Sequence, residues 1–130
     1  MNMRDAALKY CGRIEGRLVV LDPDLAVSIS EIKKGVLFVW AIWSVPAKQG
    51  LQAVATALSS SPTFGEILLY LADNDAGSTE QFMTSIGQTP SGMGETFWIS
   101  NGEIVASLKG YSAKDLDVLV RHNRELLSAN

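Results

Sequence analysis

The stretch Val39–Gln49 reads "VWAIWSVPAKQ" and joins two very different kinds of sequence. It begins inside "VLFVWAIW" (36–43), a continuous apolar run bounded by Gly35 and Pro46. That pattern predicts a strand buried on both faces in the middle of a sheet. Pro46 is tolerated in a first helical turn, and Leu51, Val54, Ala55 and Leu58 then recur at the 3.6-residue period. A helix with one apolar face therefore follows the strand and ends in "SSSP" (59–62).

Upstream, Ala7, Cys11 and Ile14 stand at helical spacing within residues 4–15, with Leu8 beside them and charges opposite. This describes a short amphipathic helix. "RLVVL" (17–21) reads as a strand closed by the turn Asp22-Pro23-Asp24, and "LAVSISEIKK" (25–34) as a helix ended by Gly35. Downstream, "EILLYLAD" (66–73) is a further strand. Ser78 then caps a helix with Glu80 and Gln81 in its first turn, burying Phe82, Met83 and Ile86. After the breaker-rich "GQTPSGMG", the strands "TFWIS" and "EIVASLK" are joined by Asn101-Gly102, a strong two-residue hairpin signal. "SAKDLDVLVRHNRELL" (112–127) opens with Ser112 and Asp115 in capping-box spacing and presents Leu116, Leu119, Val120 and Leu127 as a core stripe. The order is β-α-β-α-β-α-β-β-α after an added N-terminal helix, which implies a mixed sheet between helices.

The chain has 130 residues, 47% apolar and 19% charged, enough to bury one core as a single domain. Its net charge of −3 argues against a nucleic-acid partner. Lys33-Lys34, the only adjacent basic pair, reads as a solvated helix end. The longest apolar run is too short for a membrane span, and charges interrupt the N-terminus where a signal peptide needs its apolar core. A single cysteine, Cys11, closes no internal bridge, and the expected location is the cytoplasm.

Three separated motifs resemble the thioredoxin family. Trp40, Ala41, Trp43, Pro46 and Lys48 match the framework of its tryptophan-alanine-any-tryptophan-cysteine-glycine-proline-cysteine-lysine run. "GMGETFWISNGE" (92–103) lies without a gap on its glycine, isoleucine, cis-proline, threonine, strand and asparagine-glycine-glutamate segment, and Gly110 follows at the family's usual distance. The resemblance covers residues 18 to 127, leaving 1–17 as a helical extension. It implies an α/β three-layer fold with a central mixed sheet of four or five strands flanked by helices.

The departures from the family fall where its chemistry lies. Ser44 and Ala47 occupy the two cysteine positions, Phe38 the buried aspartate, and Gly94 the cis-proline, with Glu95 its substitute if the loop shifts by one. Attacking thiolate, resolving thiol, base and substrate clamp are lost together, so no residue is expected to be catalytic. The resemblance places the substrate groove at Trp43, Ser44, Val45 and Pro46, at Met93, Gly94 and Glu95, and at Gly110 and Tyr111. Tryptophan, methionine and tyrosine suit an interface.

The expectation is a redox-inactive protein that binds another polypeptide through this groove, as adaptor, accessory chaperone or inhibitor-type partner. A second copy of the chain is the other occupant considered. The alternative is an enzyme, either a redox protein using Cys11 or an activity elsewhere on the fold. His122 reads as a helix-packing residue rather than part of a triad, and Cys11 as a semi-buried helix residue. Asp73, Asp75 and Glu80 lack the spacing of a calcium loop and read as turn and cap residues. No metal and no cofactor is implied.

Overall fold

The computed structural model describes residues 2–129. Helix α1 (Met3–Cys11) is capped by Asn2, whose side chain accepts from the Asp5 amide. The helix ends at Cys11 and continues as a 3₁₀ stretch, Gly12–Arg17, earlier than the spacing of Ile14 suggests. Ile14 is nevertheless buried together with Ala7 and Cys11. Strand β1 (Leu18–Val20) follows.

The helix expected over 25–34 does not form. The segment between β1 and β2 (Lys34–Trp40) is irregular, opening with a turn in which the Leu25 amide donates to Asp22 O. Val27, Ile29 and Ile32 turn toward the sheet and pack with Leu37, Val39, Phe82 and Met83. Val27 and Ile29 are β-branched and two apart, which suits an extended chain covering a sheet face and weakens a helix. The Lys33-Lys34 pair is accordingly no helix end. Lys34 opens β2, and its Nζ donates to Ser100 Oγ at 2.8 Å, to Leu126 O at 2.9 Å and to Ala129 O.

Strand β2 stops at Trp40, three residues before the end of its apolar run, because the Ser44 amide closes a turn onto Ala41 O. Helix α2 (Val45–Ser59), strand β3 (Leu68–Asp73), helix α3 (Gly77–Ser85), strand β4 (Thr96–Ser100), strand β5 (Glu103–Leu108) and helix α4 (Leu116–Ser128) complete the fold. Helix α3 starts from Ala76 without a side-chain cap. Ser78, the expected cap, lies inside it and donates to Pro23 O. The Ser112–Asp115 capping box forms as expected, heading a 3₁₀ turn that runs into α4.

The sheet order is β1-β3-β2-β4-β5, with β2 parallel to β3 and antiparallel to β4. This puts β2 at the centre, as its unbroken apolar run implies. Val36, Phe38 and Trp40 face a core shared with α1, α2 and α4, while Leu37 and Val39 face the one shared with α3 and the 21–32 segment. The result is a three-layer α/β fold with a five-stranded mixed sheet. The Asn101-Gly102 turn joins β4 to β5 with positive φ at both residues. Its amides donate to Lys33 O and Ile32 O, tying the hairpin to the irregular segment.

Candidate functional site

The carboxyl ends of β2 and β3 and the loops around them form the end of the sheet where the sequence motifs converge. Ser44 is the N-cap of α2. Its Oγ accepts from the Ala47 amide at 3.3 Å and donates to Gly92 O. The side chain is buried, and neither partner is a base. A serine so placed closes the helix end and offers no nucleophile.

Phe38 fills the space beneath. Its ring lies 3.0 Å from a Cβ built at Gly94, a tight approach, and 3.4 Å from one built at Gly50, an ordinary contact. Gly94 adopts φ +70°, and no peptide among the described residues is cis. An apolar ring therefore stands against α2 at Gly50 and against the 91–95 loop at Gly94, and the residue is the one on which the resemblance places a proton-accepting carboxylate.

Trp43 projects from the turn before α2 and is 60% exposed, whereas Trp40 is buried at 1%. The indole of Trp43 is nonetheless held. Its Nε1 donates to Asp75 Oδ2 at 2.9 Å, and its ring covers Gly92, where an added Cβ would sit 2.5 Å from a ring carbon. Asn74 connects the same loops: its amide donates to Trp40 O, its Nδ2 to Asp75 Oδ1, and its Oδ1 accepts from the Gly92 amide. Asp75 lies in the turn after β3, as its reading expects, with its amide on Asp73 Oδ1 at 2.9 Å, and it also anchors an aromatic ring 32 positions away.

The remaining groove residues divide into surface and interior. Glu95 is buried, with Oε2 accepting from the Ser91 amide and hydroxyl at 2.8 and 2.7 Å. Tyr111 is also buried, its hydroxyl 2.6 Å from Thr96 Oγ1, and desolvation pushes the phenol above its ordinary range. Neither offers a side chain to a partner, contrary to the expectation from loop position. Glu95 Oε2 and the Tyr111 hydroxyl serve internal hydrogen bonds, which fixes both side chains inward, while the buried Glu95 Oε1 has no partner. Ser44 and Gly94 are likewise buried.

Val45 and Met93 are exposed at 60% and 38%, Pro46 is half-buried, and Gly110 is exposed with its amide on Met93 O. Ile42, exposed at 45%, belongs to the same surface and was missed because its apolar run reads as strand to its end. Four loops are thus cross-linked into one platform, and its outer face carries Ile42, Trp43, Val45 and Met93.

Two other candidates lie elsewhere. Cys11 is buried in the core between α1 and α2, and burial raises its thiol from 9.0 to about 11, against a smaller opposite effect of Arg4. His122 packs against Trp98 with ring centroids 4.7 Å apart and the ring planes tilted by 51°, a helix-packing role. Among the described residues, no group of three or more metal-ligating side chains comes together, and no helix is long and apolar enough to cross a membrane.

The sequence matches no protein-family model and no curated protein. The structure is similar to that of desulfothioredoxin from Desulfovibrio vulgaris Hildenborough, with a TM-score of 0.61 at 11% identity over 79% of this chain and 95% of that one. It is also similar to thioredoxin f2 from Chlamydomonas reinhardtii, with a TM-score of 0.58 at 16% identity over 83% and 95%. Thioredoxin O2 from Arabidopsis thaliana gives a TM-score of 0.58 at 18% identity over 81% and 92%. At such identities the likeness establishes the fold. The chain has a thioredoxin-like fold with a degenerate motif, in which Ser44 and Ala47 stand at the cysteine positions.

Proposed function

We propose that this protein binds a segment of another polypeptide, noncovalently and without thiol chemistry, through the platform of Ile42, Trp43, Val45 and Met93. The observation that carries the reading is where exposed apolar surface collects. Four of the six large apolar residues that are exposed among those described belong to these loops. Clustered apolar exposure marks an interaction surface, whereas scattered single residues do not. The hydrogen bonds of Ser44, Asn74 and Asp75 support it further, because an aromatic anchor held in place before binding loses less side-chain freedom on association. Adaptor, accessory chaperone and inhibitor-type partner are all forms of this activity, and the cytoplasm is its proposed location.

Disulfide exchange needs a thiolate that reaches the substrate. The one cysteine is buried in the core with no exposed surface. In an insulin-reduction assay with dithiothreitol, the protein should match the protein-free control. Catalysed turbidity would contradict the redox-inactive reading. Partner capture should persist in dithiothreitol, since no disulfide links the two chains, and light scattering of the isolated protein reports whether a second copy is the occupant.

A further inference from the structure

A small pocket of about 130 Å³ lies where α1 meets the end of β2 and the first turn of α2. Ala6, Lys9, Tyr10, Trp40, Ile42 and Lys48 line it. Its polar side chains are two ammonium groups, a phenol and an indole, and no acid is among them. Lys9 and Lys48 take part in no ion pair among the described residues.

Trp40 supplies the second observation. It is 1% exposed, and its Nε1 has no hydrogen-bond partner. The other two tryptophans are satisfied, Trp43 by Asp75 and Trp98 by Asn123. A buried donor without an acceptor is uncommon in a folded protein and calls for an explanation. Here it belongs to a residue that lines a pocket whose other polar side chains are all able to donate.

We propose that this pocket receives a carboxylate. An ionised carboxylate only accepts hydrogen bonds, with about four lone-pair sites on two oxygens, and the residues lining the pocket carry three accessible donors, the Lys9 and Lys48 ammoniums and the Tyr10 phenol, with the buried Trp40 indole behind them. Its wall carries no arginine, the usual residue for planar bidentate recognition, so each donor acts singly. Ile42 belongs both to the pocket and to the apolar platform. Resting on the binding function proposed above, this assigns the partner a chemistry: an apolar segment with an aspartate, glutamate or chain-terminal carboxylate beside it.

The test needs no partner. Acetate is titrated into the ¹⁵N-labelled protein at ionic strength held constant with chloride, and the three indole Nε1–H signals are followed, assigned with Trp43→Phe and Trp98→Phe. The Trp40 signal should shift saturably while that of Trp98 stays still, and a Lys9→Ala, Lys48→Ala double variant should lose the shift while keeping the native spectrum. A Trp40 signal indifferent to acetate, or moving equally with chloride, overturns the proposal. Phosphate acting at lower concentration than acetate overturns the choice of carboxylate. Loss of partner capture in Trp43→Ala is a separate measurement, so failure of the pocket and failure of the platform are told apart.

Discussion

Phe38 decides what the residues above it are able to do. A thiol at position 47 would meet an aromatic ring where a proton acceptor is needed, so restoring both cysteines restores the reagents and leaves their surroundings apolar. General-base assistance is typically worth 10²- to 10⁴-fold, and the Ser44→Cys, Ala47→Cys variant should fall short of a thioredoxin by about that factor in insulin reduction. A rate within a few-fold of a thioredoxin would show that Phe38 is no obstacle. The native thiol makes the converse point. Cys11 has no exposed surface and its pKa is raised to about 11, so a thiol reagent at neutral pH should label the folded protein slowly and the denatured protein fast. Because the folded state keeps its proton where the unfolded chain, near 9.0, loses it, the thiol's contribution to stability is complete below pH 9. It declines between about pH 9 and 11. Rapid stoichiometric labelling of the native protein would contradict the burial.

At the scale of elements, the parts legible from sequence are those specified locally. Asn101-Gly102 supplies the positive φ values its turn requires, and Ser112 and Asp115 meet across three residues. The continuous apolar run identifies β2 because a central strand must bury both faces. The 25–34 segment was illegible for the opposite reason: Ile29 and Ile32 suit one face of a helix while Val27 and Ile29 suit one face of an extended chain, and the sheet face beneath them decides. Likewise, loop order brings Glu95 and Tyr111 to the right end of the sheet, while Ser91 and Thr96 determine that they point inward. The Trp43–Asp75 bond leaves no local trace at all. Gly92 tests whether that loop platform is one unit. Its φ of +76° and the overlying indole both oppose a side chain, so Gly92→Ala should displace Trp43 and lower stability by about 1–2 kcal/mol from backbone strain alone. A blue-shifted or unaltered Trp43 emission, with an unchanged melting temperature, would mean that the indole does not rest on Gly92.

For the molecule as a whole, two tryptophans three residues apart divide the work. Trp40 is buried between α1, α2 and the sheet and only borders the small pocket at the end of β2, whereas Trp43 stands outside the core on the cross-linked loops. Removing the first should open a cavity at a cost of ~3–5 kcal/mol. Removing the second forfeits one exposed hydrogen bond and little burial, a cost of about 1 kcal/mol or less. Its effect on binding should be far larger, ~2 kcal/mol or about thirtyfold in affinity, as expected of an aromatic anchor. The direct measurement is therefore the pair of changes caused by Trp43→Ala, in melting temperature and in affinity for the captured partner, with Trp40→Ala as the stability control. Near-native melting with binding weakened about thirtyfold is the predicted result. Full binding by Trp43→Ala, or melting as low as that of Trp40→Ala, would contradict the account and make Trp43 part of the framework rather than part of the function.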